Sequence, residues 1–101
     1  GHAQLARIPA DGGELEQLVS STTVDWFPHL SPDGAHACYL SYPAGTLGHP
    51  ADLPVAVTVV DTDAWEVPRQ QYQLPGGQGT LNVNSWSPAS DRFAMVAYPF
   101  D

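Results

Sequence analysis

Apolar and polar residues alternate with period two along most of this chain, and clusters of Pro, Gly, Asp and Ser break the alternation at short intervals. Such alternation places successive side chains on opposite sides of a strand, so the pattern predicts an all-β chain. The predicted strands are Gln4–Pro9, Glu14–Val19, Trp26–Ser31, Ala35–Tyr42, Val55–Asp61, Val67–Leu74, Leu81–Ser87 and Arg92–Tyr98. Between them lie Asp11-Gly12-Gly13, Ser31-Pro32-Asp33-Gly34, Asp61-Thr62-Asp63 and Ser87-Pro88-Ala89-Ser90-Asp91. In the Ser-Pro-Asp-Gly tetrad, Pro presets φ for a type I turn, Asp suits the next position, and Gly accepts the positive φ that follows. One connection, Tyr42–Pro54, is far longer than a turn and rich in Gly and Pro. No segment reads as a helix.

The pattern also repeats. Residues 28–43 and 84–99 align without a gap at an offset of 56, with Ser31/Ser87, Pro32/Pro88, Tyr42/Tyr98 and Pro43/Pro99 identical. Apolar residues recur at Leu30/Trp86, Ala37/Phe93, Tyr39/Met95 and Leu40/Val96. Fixed-period similarity of this kind marks stacked supersecondary units that cannot bury their apolar sides alone. Leu30 and Trp86 are expected to be equivalent core positions, and the second turn, with Ala89-Ser90-Asp91 in place of Asp-Gly, is expected to be looser. Trp65, beside Asp61-Thr62-Asp63, is expected to be exposed and available to a partner.

Composition narrows the function classes. A chain of 101 residues with 43% hydrophobic side chains has room for one small domain, which buries roughly 60–65% of its unfolded surface. Three basic against eleven acidic side chains give a formal charge of −8. That field repels phosphate backbones and anionic lipid, so neither nucleic acid nor membrane insertion is expected. The single cysteine, Cys38, reads as a small buried hydrophobe in an apolar strand. No Gly-x-Ser-x-Gly elbow and no His or Cys pairing at zinc spacing occurs, so neither a catalytic nucleophile nor a metal site is expected, and no cofactor is implied. His29 and His36 read as structural histidines, and Asp33, Asp61 and Asp63 as caps of local turns.

Further motifs carry a resemblance. Trp26-Phe27-Pro28-His29-Leu30-Ser31-Pro32-Asp33-Gly34, then Gly48-His49-Pro50, Gly76-Gly77-Gln78-Gly79-Thr80 and Ser85-Trp86-Ser87-Pro88 resemble the TolB-like β-propeller repeat family, in particular an uncharacterised bacterial branch of it. The resemblance implies four-stranded antiparallel blades of a six-bladed ring. On that template, residues 3–19 are the outer strands of one blade, 24–74 a full blade and 81–98 the inner strands of the next, about two blade equivalents. The chain would then be the C-terminal third of the ring, with Ala97–Asp101 as its natural end.

Meander geometry sorts the connections onto two faces. The Ser-Pro-Asp-Gly and Asp-Thr-Asp turns share one, and the Tyr42–Pro54 loop with the Ser20–Asp25 and Pro75–Thr80 links occupies the other. His49, Asp52, Gln78, Asn82 and Trp26 are the candidate ligand- or partner-binding residues on that loop face, set against the plainer reading that the two Gly-rich segments only staple neighbouring loops together. The expected role is a non-catalytic binding or scaffolding module for a protein or peptide, periplasmic by resemblance. The alternative is the substrate-gating propeller of a prolyl-oligopeptidase-like hydrolase. Strand edges left raw at both ends predict self-association.

Overall fold

The structure, a computed structural model, describes residues 1–98. Six strands are present among them: β1 (Ala6–Arg7), β2 (Glu16–Gln17), β3 (Val24–Leu30), β4 (His36–Tyr42), β5 (Leu53–Asp61) and β6 (Gln70–Gly76). Every pairing is antiparallel. β1 and β2 form a two-stranded hairpin, and β3 to β6 form a four-stranded meander in chain order. The chain is therefore all-β with antiparallel sheets.

The meander follows the alternation closely, with β6 starting three residues later than expected. Val67 instead closes a turn, its amide donating to the Ala64 carbonyl (3.1 Å). The flanking hairpins are shorter than their patterns suggest. The expected strands 4–9 and 14–19 contract to two residues each, because Pro9 has no amide to donate and Gly12 and Gly13 both take positive φ. The expected pair 81–87 and 92–98 contracts to a single bridge, Trp86 to Phe93. Its backbone groups bond elsewhere: the Val96 amide donates to the Thr80 carbonyl (3.0 Å) and the Tyr98 amide to the Pro75 carbonyl (2.8 Å). The matched Pro43/Pro99 pair and the expected end at Asp101 extend outside the described residues.

The repeat is nonetheless visible in the register. Leu30 pairs with Ala37 and Trp86 with Phe93, and the Ser31 amide donates to His36 as the Ser87 amide does to Arg92, both at 2.8 Å. The second turn is not looser. Ser90 adopts φ 62° where Gly34 adopts 73°, and both amides donate to the first Ser of their turn at 2.9 Å.

Alternation on β4 divides the core into two. Cys38, Leu40 and Tyr42, with Val24, Val55 and Val57, pack against Leu81, Trp86 and Phe93 on one side of the sheet. Ala37 and Tyr39, with Val60, pack against Leu5, Val19 and Trp65 on the other. The meander is thus the middle of three layers, and each fully buried Leu or Val in it contributes roughly 1.5–3 kcal/mol of transfer free energy. Two expectations are corrected here. Trp65 is buried, only 9% exposed, because the β1–β2 layer folds over it. Leu30 is 50% exposed whereas Trp86 is half-buried, so the two repeat positions are equivalent in register and unequal in burial.

Candidate functional site

A β-bulge interrupts β3 between Trp26 and His29, and within it Phe27 takes φ 59°, the left-handed region that a bulky residue seldom enters. The bulge brings both rings against His49. Trp26 meets the imidazole edge-on at 4.7 Å between centroids and Phe27 does so at 5.3 Å. The Trp26 indole N–H donates to the Gly48 carbonyl (3.1 Å), and the Tyr42 hydroxyl donates to the Pro50 carbonyl (2.8 Å). Within this cluster His49 Nδ1 is buried without a hydrogen-bond partner.

The second Gly-rich segment closes on the same loop. The Gln78 amide donates to the Pro50 carbonyl (3.0 Å), and the Gly77 amide to Thr80 Oγ1 (3.0 Å). A Cβ on Gly77 would lie 2.2 Å from the Ala51 carbonyl oxygen and 2.7 Å from that of Pro50. The glycine is therefore required by the approach of two backbones. The staple is real, and it leaves the Asp52 and Gln78 side chains exposed beside it. Asp52 also stands at the rim of a cavity of 440 Å³ walled by Leu53, Pro54, Gln73, Leu74 and Pro75. Asn82 is exposed, and no hydrogen bond or ring contact joins it to this group among the described residues. Its neighbours explain why: the Leu81 carbonyl is held by His29 Nε2 (2.6 Å) and the Asn84 amide donates to the Leu30 carbonyl (3.0 Å), so this segment follows the far end of β3.

On the turn-rich face, the Thr62 hydroxyl and amide donate to Gly34 and Ala35 carbonyls. The two repeat turns also touch, the Asp33 amide donating to Ser90 Oγ (3.0 Å). The Ser31 hydroxyl and then the Ala35 amide hold the Asp33 carboxyl below its ordinary range. Asp61 is not a cap. Its carboxylate accepts from Arg69 Nη1 (3.1 Å) and lies 2.8 Å from His36 Nδ1, and the Arg69 hydrogen bond, followed by that of His36, lowers its pKa. Burial pushes the Cys38 thiol up to about 12, which leaves it protonated and inert at neutral pH. Among the described residues, no three His, Cys, Asp or Glu side chains are disposed to hold a metal ion.

One site escaped the reading of the sequence. Asp25, 2% exposed, accepts from the Gln4 amide (3.0 Å), the Ser21 hydroxyl (2.8 Å) and the Thr23 hydroxyl (2.8 Å). The run Ser20-Ser21-Thr22-Thr23 before it reads as a polar link, and only its density of hydroxyls beside a carboxylate could have marked a buried network.

No protein-family model matches the sequence. The chain is similar to "Uncharacterized protein Atu1656" of Agrobacterium fabrum, 43% identical over 98 residues, which is 97% of this chain and 33% of that protein. It is also similar to the solved structure of "putative TolB" from Agrobacterium tumefaciens, with TM-score 0.91 and 40% identity over 99% of this chain and 36% of that one. The fold is thus TolB-like, and the chain spans about a third of the length of the proteins it matches.

Proposed function

We propose that this chain is a non-catalytic segment of a TolB-like β-propeller, acting as a binding or scaffolding module in the periplasm. On this reading the meander is one blade, the β1–β2 hairpin the outer part of the preceding blade, and residues 81–98 the inner part of the following one. The shared register of the Leu30–Ala37 and Trp86–Phe93 pairs, at the sequence offset of 56, supports that arrangement. The function is the capture of a peptide or small polar ligand at the loop face. The observation that carries it is a pair of loops longer than strand connection needs, pinned together through Pro50 and Gly77. Their pinning holds Asp52, Gln78 and the Trp26–His49 cluster on a fixed frame, as binding loops on rigid sheets are held. Amide-shift titration with a panel of short peptides tests this. Asp52 and Gln78 should shift before Asp33 and Asp63, and the double substitution Asp52→Ala, Gln78→Ala should abolish the response. Shifts confined to the turn-rich face would refute the choice of face.

A further inference from the structure

The two outer edges of the four-stranded sheet are finished differently. Along β3 the Asp25 amide donates to the Ala3 carbonyl (2.9 Å), a bulge interrupts the strand at Phe27, Pro28 has no amide, and the Leu30 carbonyl accepts from the Asn84 side chain (3.0 Å). Bulges, proline, charge and short length are the usual guards of a strand edge. β2, in the hairpin, is two residues long and carries Glu16. β6 has none of these guards over residues 70–74. Its pairing with β5 runs from Gly76 to Gln70 without a register shift, and the strand bears no charge in a chain of formal charge −8.

The ladder determines which groups this edge leaves open. The Thr62 amide donates to the Ala35 carbonyl (3.0 Å), so alternation turns the backbone groups of Ala56, Thr58 and Val60 towards β4 and those of Val55, Val57 and Val59 towards β6. Their partners in β6 are Leu74, Tyr72 and Gln70. The amides and carbonyls of Gln71 and Gln73 therefore face outwards, and among the described residues no hydrogen bond from outside the sheet reaches them. Pro75 stands in the same outward row, where a missing amide costs no ladder bond, and its carbonyl is taken by the Tyr98 amide (2.8 Å). Gln71 and Gln73 are exposed, and the Gln71 side chain is held back on Thr58 Oγ1 (3.3 Å). The flanking layers leave this edge uncovered because they pack on the two sides of the sheet, and any layer stacked beyond them would lie against a side as they do.

We propose that the edge of β6 over residues 70–74 receives an extended segment of a partner protein as a fifth strand. The amides and carbonyls of Gln71 and Gln73 supply the main-chain bonds that give such strand addition its affinity. Amides and carbonyls alternating at strand spacing match an extended backbone. Opposite Gln71 and Gln73 the segment carries hydroxyl or amide side chains, which pair across strands with the glutamine amides. Its flanks are basic, since a chain of formal charge −8 attracts cations and repels a second copy of itself. The site is separate from the loop face and does not rest on the capture proposed there.

Amide exchange and fluorescence anisotropy of the whole chain test it, with a labelled peptide of alternating Thr and Val flanked by Lys as the probe. Exchange at Gln71 and Gln73 should slow about tenfold when free peptide stands about tenfold above its Kd, while Gln70, Tyr72 and Gln78 keep their rates. Asp52→Ala with Gln78→Ala should leave that protection in place. The same peptide N-methylated throughout keeps its side chains, loses its donors and should not bind. Gln73→Pro, which removes one outward amide in the row that already holds Pro75, should weaken binding with unchanged β circular dichroism; if that variant fails to fold, the N-methylated peptide decides. Glu in place of the flanking Lys should weaken binding at low salt, and equal affinity would overturn the basic occupant. No binding at millimolar peptide, binding that survives full N-methylation, or protection at Gln78 without protection at Gln71 and Gln73 would each overturn the proposal, the last leaving the loop-face reading intact. Protection at Gln71 and Gln73 that rises with the chain's own concentration in the absence of peptide would make the occupant a second copy and overturn the choice of partner.

Discussion

Trp65 takes a buried role that its sequence neighbourhood does not suggest, and Trp86 is less buried than its neighbourhood suggests. Trp65 follows Asp61-Thr62-Asp63, a turn whose polarity points to solvent, yet it sits between Leu5, Val19, Tyr39 and Val60. Trp86 belongs to the apolar repeat and packs against the Cys38–Val57 core, yet it stays only half-buried; its ring stacks against His36 at 6.4 Å and its indole N–H donates to the His29 carbonyl (3.0 Å). Truncating the buried ring removes transfer free energy and leaves a cavity, so Trp65→Ala should destabilise by about 3–5 kcal/mol, while Trp86→Ala, losing half-exposed area, should cost about 2. Urea melts of the two variants check the order; a larger loss at Trp86 would contradict the layering. Ser90 shows a subtler substitution. It holds the left-handed conformation that Gly34 holds without strain, and its hydroxyl accepts the Asp33 amide in return, so the second copy trades conformational ease for a bond that joins the two turns.

At the scale of elements, what could be read was local and what could not was long-range. The four meander strands follow from period-two alternation and the Ser-Pro-Asp-Gly turn, both of which act within a few residues. The shortening of the 81–98 hairpin did not, because Val96 and Tyr98 give their amides to Thr80 and Pro75, choices that only the assembled molecule imposes, whereas that of the β1–β2 hairpin traces to Pro9, Gly12 and Gly13. The bulge at Phe27 has no Gly to announce it, and its ring contact with His49 is long-range. The loop face lies between these cases. Gly48-His49-Pro50 and Gly76-Gly77-Gln78-Gly79 read in the sequence as a staple between neighbouring loops, and the structure supplies the reason for glycine at Gly77, where a Cβ would overlap the Ala51 backbone. Neither backbone can retreat without breaking the Gln78 to Pro50 bond. Gly77→Ala should therefore destabilise by about 1–3 kcal/mol, as overpacking does, and should raise amide exchange at Gln78. An exchange rate at Gln78 unchanged from wild type would show that the loops are not pinned there.

Across the whole molecule, the three layers are joined unequally. Residues 81–98 are bound to the meander by side-chain to backbone bonds at His29, Leu30 and Leu81 together with the Trp86 and Phe93 rings. The N-terminal layer relies on Leu5, Val19, the Ser20 amide donating to Glu66 Oε1 (2.8 Å) and a polar node at Asp25: its amide donates to the Ala3 carbonyl (2.9 Å), and its carboxylate gathers Gln4, Ser21 and Thr23. A buried carboxylate with several donors is favourable only while all are in place, and removing it takes one acceptor from each of them, although Gln4 and Ser21 keep bonds to neighbouring carbonyls. Asp25→Ala should therefore cost about 2–4 kcal/mol, the range expected when several charge-assisted bonds are lost together. The loss should also be local. Because the node ties residues 3–5 to the start of β3, hydrogen exchange should show protection falling first in β1 and β2, with β4 and β5 in the middle layer still slow. Equal loss of protection in all three layers would mean that the hairpin and the meander unfold as one unit and that Asp25 is no hinge between them.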